Sequence, residues 1–148
     1  MYKNILLPTD GSPLSLKGVK AGIAFAKALG AKVTAFYADP GIGTQFAQLD
    51  APLPEGVLEA EIARLKKLGE RYLAAVDKLA QAAGVTCRCV MVSDTLAYEA
   101  IITTAKNERC DLICMASHGR TGLKGVLLGS VANQVLTHSK IPVLIIRA

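Results

Sequence analysis

The sequence predicts an α/β fold with one open, five-stranded parallel sheet and helices on both faces. Short apolar runs alternate with longer amphipathic segments in the order βαβαβαβαβ, and the runs carry apolar residues on both faces, as buried parallel strands do. The chain has 148 residues, of which 51% are hydrophobic and 20% charged. These values predict a single domain over residues 1–148 and exclude a disordered or collagen-like chain.

The first strand is predicted from Asn4 to Thr9. Ser12 is placed to cap the helix that follows, because a serine just before a proline is typical of a helix start. That helix is predicted from Pro13 to Leu29, with Gly30 as its stop. The segment Lys32–Ala38 is rich in β-branched and aromatic residues and is predicted to form the second strand.

The stretch from Asp39 to Glu55 contains three prolines and two glycines and is predicted to be a surface loop. A long helix is expected next, from Val57 to Ala83, ended by Gly84. Its apolar residues recur at spacings of three and four and form one stripe. The stripe consists of Leu58, Ile62, Leu65, Tyr72, Val76, Leu79 and Ala83.

The second half of the chain repeats the alternation of strands and helices. Asp94 is predicted to cap the third helix. The predicted elements are a strand at Thr86–Val92, a helix at Thr95–Lys106, a strand at Asp111–Ala116, a helix at Ser130–Thr137 and a strand at Pro142–Ile146.

Charge, cysteines and hydropathy limit the possible partners and location. The net charge is +5, and residues 112–148 contain no Asp or Glu, so an anionic partner is favoured. No apolar run is long enough to span a membrane, and the N-terminal one is too short for a signal peptide, so we expect a cytoplasmic protein without a membrane partner. The cysteines lack metal-ligand spacing and are interpreted as core thiols: Cys87, Cys89, Cys110 and Cys114.

Two predicted strand ends carry residues suited to binding. The first strand ends in Pro8-Thr9-Asp10-Gly11-Ser12, which places a carboxylate and hydroxyls at its tip. The fourth strand is followed by a loop over 116–130 that is rich in glycine and contains two cations and no acid. Ser130, at the end of this loop, is predicted to lie at the start of a helix. Glycine lets backbone N–H groups approach phosphate oxygens, and a helix N-terminus attracts anions. The loop is therefore predicted to bind phosphate through its backbone N–H groups. The alternative is that the glycines only permit turns and that Ser130 only caps a helix.

The spacing of this loop resembles the universal stress protein family of the ATP-binding type. The family pattern is glycine, two residues, glycine, nine residues, and Gly-Ser or Gly-Thr. This chain has Ala116 at the first glycine position, then Gly119 and Gly129-Ser130 at the others. The first strand with its Pro8–Ser12 end and the last strand, Ile141–Ile146, also resemble the family. The resemblance implies a Rossmann-like, adenine-nucleotide alpha-hydrolase-like fold.

The resemblance also implies ATP binding, with Mg²⁺ as its expected companion. Asp10 is then expected to contact the ribose or the adenine side of ATP. The backbone near Tyr37 and Ala38 is expected to contact the adenine edge. The glycine-rich loop and the N-terminus of the following helix are expected to bind the phosphates. The implied binding residues are Pro8, Thr9, Asp10, Tyr37, Ala38, Met115, Ala116, Ser117, His118, Gly119, Arg120, Gly122, Gly129, Ser130 and Val131. His118 is interpreted as a residue typical of the loop, and no catalytic residue is assigned.

A nucleotide-dependent sensor in the stress response is the function that the resemblance implies. It also implies a homodimer formed through Ile141–Arg147, and regulatory protein partners whose identity the sequence does not give. The alternatives are a family member that has lost nucleotide binding and works through protein contacts, a weak ATPase, or an enzyme on a similar sheet. The motifs of ATP-pyrophosphate-splitting ligases and nucleotidylyl transferases are absent from the sequence. A nucleic-acid partner is not expected, because aromatic residues make up only 5% of the chain.

Overall fold

The computed structural model describes residues 1–42, 46, 48–93, 96–120 and 128–147. Within these residues the sheet has five parallel strands in the order β3-β2-β1-β4-β5. The strands are β1 (Asn4–Pro8), β2 (Lys32–Asp39), β3 (Cys87–Ser93), β4 (Leu112–Ala116) and β5 (Val143–Ile146). The helices of the described residues are α1 (Pro13–Leu29), α2 (Val57–Ala83), α3 (Ala97–Asn107) and α4 (Ser130–His138). None of these helices is long and apolar enough to cross a membrane.

The sheet separates two apolar cores because successive side chains of each strand point to opposite faces. Ile5 and Leu7 of β1 face one core, which α1 and α2 cover. Leu6 and Phe36 face the other core, which α3 and α4 cover. The predicted arrangement of helices on both faces is therefore confirmed.

Several predicted boundaries of helices and loops agree with the structure. Ser12 caps α1 by accepting a hydrogen bond from the Ser15 N–H, and Pro13 begins the helix. Gly30 ends α1 in the left-handed conformation, with φ of +66°. The long helix α2 has the predicted bounds, and Gly84 ends it in the same way.

The start of α3 was predicted wrongly. The helix begins at Ala97, with Leu96 in the N-cap position, and not at Thr95 after Asp94. An N-cap residue lies directly before the first helical residue, and this position belongs to Leu96. Residues 94 and 95 lie outside the described residues. Strand β3 also lies one residue later than predicted, at Cys87–Ser93.

Two predictions about burial were also wrong in part. Cys110 and Cys114 are buried as expected, whereas Cys87 is half-buried and Cys89 is exposed. The reason is that β3 is an edge strand of the sheet. The apolar stripe of α2 is likewise buried at positions such as Leu65, whereas its first members, Leu58 and Ile62, are exposed.

Candidate functional site

A cavity of about 590 Å³ opens at the carboxyl ends of β1 and β4. The chain passes from β1 outward to β2 and β3 and then returns to place β4 on the other side of β1. Ligands of open parallel sheets bind at such a reversal of strand order. The predicted residues that line the cavity are Pro8, Thr9, Asp10, Ala38, Met115, Ala116, Ser117, His118, Gly119, Arg120, Gly129, Ser130 and Val131.

The tip of β1 is held in shape by short hydrogen bonds. The Thr9 N–H donates to the carbonyl of Phe36 on β2 over 2.8 Å. The Thr9 hydroxyl accepts from the Gly11 N–H and lies 3.1 Å from the hydroxyl of Ser15. Gly11 has φ of +76°, and a side chain there would collide with the ring of Tyr72. Glycine at this position therefore permits both the turn and its packing against α2.

Asp10 joins the tip of β1 to the glycine-rich loop. Its Oδ1 accepts from the Ser12 N–H over 2.9 Å, and its Oδ2 accepts from the Arg120 N–H over 2.7 Å. Burial acts to raise the pKa of Asp10, but hydrogen bonds from Ser12, Ser15 and Arg120 outweigh burial and hold it below its ordinary value. The carboxylate is therefore ionised at neutral pH. A side chain on Gly119 would collide with it, so only glycine fits there.

The guanidinium group of Arg120 contacts protein groups in this structure. One terminal nitrogen donates to the Asp10 carbonyl and to the Tyr72 hydroxyl, each over 2.8 Å. The guanidinium carbon also lies 5.9 Å from the centroid of the Tyr72 ring. Arg120 thus joins the glycine-rich loop to β1 and α2 as well as lining the cavity.

The N-terminus of α4 meets the cavity through backbone groups. Gly129, and not Ser130, occupies the N-cap position, and among the described residues no side chain caps this end. The Gly129 N–H donates to the carbonyl of Ser117 over 2.7 Å, which fixes the helix start beside β4. The next residues, Ser130, Val131 and Ala132, all line the cavity. The first N–H groups of a helix lack partners within the helix, so this end is suited to binding an anion.

His118 presents an imidazole beside this helix end. Its Nδ1 lies 3.1 Å from the Ser117 hydroxyl. Its Nε2 is buried and has no hydrogen-bond partner in the described part of the chain. Buried polar atoms usually have a partner, so this nitrogen is available to a bound ligand.

The methyl group of Ala116 lies beside α1. A side chain built on Gly18 of α1 would approach the Ala116 Cβ to 3.0 Å and its backbone nitrogen to 2.8 Å. Met115, its neighbour in β4, packs in the core on the opposite face, under α3 and α4. The methyl group that replaces the glycine of the family pattern therefore points to the α1 face of the sheet.

Half of the apolar residues that line the cavity, glycines aside, were missed in the sequence. They come from β2, from α3, and from α4 with the residue Leu128 shortly before it, on the side of the sheet opposite α1. Strand alternation is the signal that could have found Phe36, since it precedes Tyr37 and must face the other way. The missed lining residues are Ser15, Phe36, Ala97, Ile101, Leu128 and Ala132.

Of the predicted site residues that the structure describes, Tyr37 alone is missing from the cavity wall. The reason is that its side chain packs in the α1 and α2 core, with its ring 5.3 Å from that of Tyr72. Gly122 lies outside the described residues, as does the loop cation Lys124.

The model of the universal stress protein family matches residues 1–147. The chain belongs to the universal stress protein family. It is 38% identical to universal stress protein MJ0531 of Methanocaldococcus jannaschii over 99% of this chain and 83% of that protein. It is 30% identical to universal stress protein YxiE of Bacillus subtilis over 99% of this chain and 100% of that one.

Solved structures agree with this family membership. The chain superposes on the structure of the hypothetical protein MJ0577 with a TM-score of 0.83 and 28% identity, over 100% of this chain and 97% of that one. A universal stress protein in complex with cAMP matches with a TM-score of 0.69 and 25% identity, over 99% and 97% of the two chains. The Rossmann-like fold expected from the resemblance is therefore confirmed.

Proposed function

We propose that this universal stress protein binds an adenine nucleotide, ATP with Mg²⁺, in the cavity at the ends of β1 and β4. The observation that carries the proposal is the N-terminus of α4, which no side chain of the described residues caps and which lies beside the glycine-rich loop. The solved relative in complex with cAMP supports an adenine nucleotide as the ligand class. The cavity volume lies within the range typical of small-molecule sites.

The two ends of the cavity favour one orientation of the ligand. The phosphates would accept hydrogen bonds from the Ser130 and Val131 N–H groups, while Gly119 and Gly129 leave room for their approach. The adenine would lie on the apolar side, near Phe36, Ala38 and α3. This arrangement places a planar apolar group against carbon atoms and negative charge at the positive end of a helix.

Asp10 would lie beside the ribose. It is the only acid among the described lining residues, and both of its oxygens already accept backbone hydrogen bonds. Mg²⁺ bound with a nucleotide needs only one or two carboxylates in addition to phosphate oxygens. The residues present therefore fit an ion that the phosphates hold and that Asp10 assists. The ion would supply charge neutralisation of the phosphates.

We infer binding rather than catalysis as the role of the cavity. In the described part of its wall, the imidazole of His118 pairs with a serine hydroxyl, and no carboxylate orients it as a base. Its free Nε2 would instead serve as a hydrogen-bond partner for the ligand. The cavity has a volume of about 590 Å³ with Ala116 in its lining, and this supports retained binding over the alternative of a homologue that has lost it.

We further propose that the protein acts in the cytoplasm as a dimeric nucleotide-dependent sensor in the stress response. Strand β5 is at the edge of the sheet, and its residues Val143–Ile146 are only partly buried. An apolar edge strand is a liability unless another strand pairs with it. A second copy pairing along Ile141–Arg147 would cover it. The unpaired state of all four cysteines fits a reducing compartment.

Thermal unfolding with and without Mg-ATP tests nucleotide binding. At a hundredfold excess over Kd, binding adds about 2.7 kcal/mol to the free energy of unfolding. For a chain of this size the expected increase in Tm is roughly 5–10 °C. A smaller response to Mg-GTP would show that the base is recognised.

Gly129→Arg should abolish the ligand-dependent increase. A side chain there would approach the Ser117 carbonyl oxygen to 3.0 Å and extend into the anion site. Leu136→Arg is the matched control, since it adds the same group on an exposed part of the same helix. No increase in the wild-type protein at millimolar Mg-ATP would contradict the proposal and favour a role through protein contacts.

A further inference from the structure

Three potential metal ligands meet on the side of the sheet that carries α1 and α2. They are Asp77 of α2 with Cys87 and Cys89 of β3, and their ligand atoms all lie within 4.8 Å of one another. None of the three residues lines the cavity at the ends of β1 and β4. They form the one such group of His, Cys, Asp and Glu side chains found among the described residues.

Two regular elements hold this group in place. Cys87 and Cys89 are two positions apart on one strand, so their side chains share a face. The Cys89 thiol lies 3.7 Å from the carbonyl oxygen of Leu73, one helical turn before Asp77. Gln81 donates a hydrogen bond of 2.7 Å to the Asp77 carboxylate, which orients it. The group thus includes a support of the kind that metal sites use to position their ligands.

The donor set selects the kind of cation. Two sulfur ligands and one carboxylate suit Zn²⁺ and other thiophilic divalent ions, whereas Mg²⁺ and Ca²⁺ prefer oxygen alone. Ligands of a tetrahedral zinc ion with Zn–S distances of about 2.3 Å lie roughly 3.5–4 Å apart. The observed separations need only a small contraction. Because Cys89 is exposed, water can occupy the fourth position.

A disulfide between the two cysteines fits less well. Residues two apart on a strand have Cα atoms about 6.6 Å apart, near the upper limit for a disulfide. A shared metal ion tolerates this separation, because each sulfur bonds to the ion and not to the other sulfur.

We propose that Asp77, Cys87 and Cys89 form a binding site for a thiophilic divalent cation such as Zn²⁺. On binding, two S–Zn bonds and one O–Zn bond form, and the two thiol protons pass to solvent. The bound ion would link the edge strand β3 to α2. This site is independent of the proposed nucleotide site.

Titration of the reduced, metal-free chain with Co²⁺ and then Zn²⁺ tests the proposal. We expect one Co²⁺ per chain with a thiolate-to-cobalt charge-transfer band, which Zn²⁺ displaces. Cys87→Ser and Cys89→Ser should each reduce the band strongly, and the double variant should abolish it. Asp77→Asn should weaken Zn²⁺ binding by about tenfold or more. Cys110→Ala is the matched control, since it removes a thiol outside the group and should leave the band intact.

Three outcomes would overturn the proposal. The first is the absence of a charge-transfer band in the wild-type protein. The second is a band that survives in the double variant. The third is a Cys87–Cys89 disulfide that forms in air at the same rate with and without Zn²⁺. Alkylation of native protein followed by peptide mass mapping supplies this last measurement, because Zn²⁺ should protect both thiols.

Discussion

Asp10 shows how much of the candidate site depends on one side chain. Its two oxygens accept backbone hydrogen bonds from Ser12 on one side and from Arg120, far along the chain, on the other. It therefore closes the turn after β1 and holds the first residues of the glycine-rich loop. The carboxylate shapes the cavity even when no ligand is bound.

Asp10→Asn should lower the free energy of unfolding by about 1–2 kcal/mol at neutral pH, because an amide can accept at only one of these positions. The pKa of Asp10 is lowered in the folded state. Its stabilisation is therefore complete above the ordinary aspartate pKa of about 3.9 and is lost as the pH falls through the lower folded-state pKa. Urea unfolding of both proteins from pH 7 down to about pH 2, below the ordinary aspartate pKa, measures this.

The control for this change is Asp50→Asn, which removes the same charge from an exposed position. It should alter the free energy of unfolding by less than about 0.5 kcal/mol at any pH. A difference between wild type and Asp10→Asn that stays constant down to the lowest pH would show that the carboxylate charge is not what stabilises the turn.

The residues around Asp10 also show what a sequence can predict at this scale. Ser12, Pro13 and Gly30 follow local rules of helix ends, and each was found where the pattern placed it. The role of Arg120 depends on contacts with Asp10 and Tyr72, which are distant in the chain. Such a contact has no signal in a local pattern, so the sequence predicted the arginine as a binding residue of the loop and gave no sign of its contacts with β1 and α2.

At the scale of elements, the contact of α1 with β4 is unusually close. A side chain on Gly18 would approach the backbone nitrogen of Ala116 to 2.8 Å. The backbone of a central strand cannot yield, since β4 is bonded to β1 and β5 on its two sides. Glycine in α1 therefore brings the helix close to the strand that ends at the cavity.

Gly18→Ala should destabilise the protein by about 1–3 kcal/mol, because the added methyl group overpacks the contact with β4. In an exposed helix interior the same change would stabilise the helix by about 1 kcal/mol. Because the nearest atom belongs to the backbone, Ala116→Gly should not restore stability to this variant. Lys17→Ala, at the exposed neighbouring position of α1, should be nearly neutral. Thermal unfolding of the four proteins measures these effects, and a stabilised Gly18→Ala variant would contradict the close contact.

The existence and type of the elements were predictable because periodicity and helix stops are local. Their exposure was not, because burial depends on which elements become neighbours. Cys89 has the sequence context of a core strand, yet the strand order places β3 at the edge. Ile62 continues the apolar stripe of α2, yet it is 47% exposed. Periodicity identifies an apolar face but does not say how much of that face is covered.

At the scale of the whole molecule, the reversal of strand order between β1 and β4 positions the cavity. The order of strands was not predicted from periodicity, because parallel strands joined by helices can be arranged in several ways. The location of the site came from the glycine spacing and its family resemblance. The same topology leaves β3 and β5 as the two edges, and β5 is apolar throughout.

Strand β5 can pair with a second chain through the backbone groups that β4 does not use. The carbonyl of Pro142 accepts a hydrogen bond from Ile113 of β4, and the carbonyl of Ile146 accepts one from Ser117, directly after β4. Because backbone groups alternate along a strand, those of Val143 and Ile145 face the open edge. The backbone N–H of Ile145 therefore lies at the centre of the proposed dimer interface.

Ile145→Pro should convert the proposed dimer to a monomer, since proline removes this N–H while sparing the bonds to β4. Ile145→Val keeps the N–H and a branched apolar side chain, so it should remain dimeric. Sedimentation equilibrium at micromolar concentrations distinguishes the mass of one chain from that of two. A wild-type protein with the mass of one chain, or an Ile145→Pro variant that stays dimeric, would exclude pairing through this strand. A dimer that persists would then have to use another surface, such as the exposed apolar residues Leu58 and Ile62 at the start of α2.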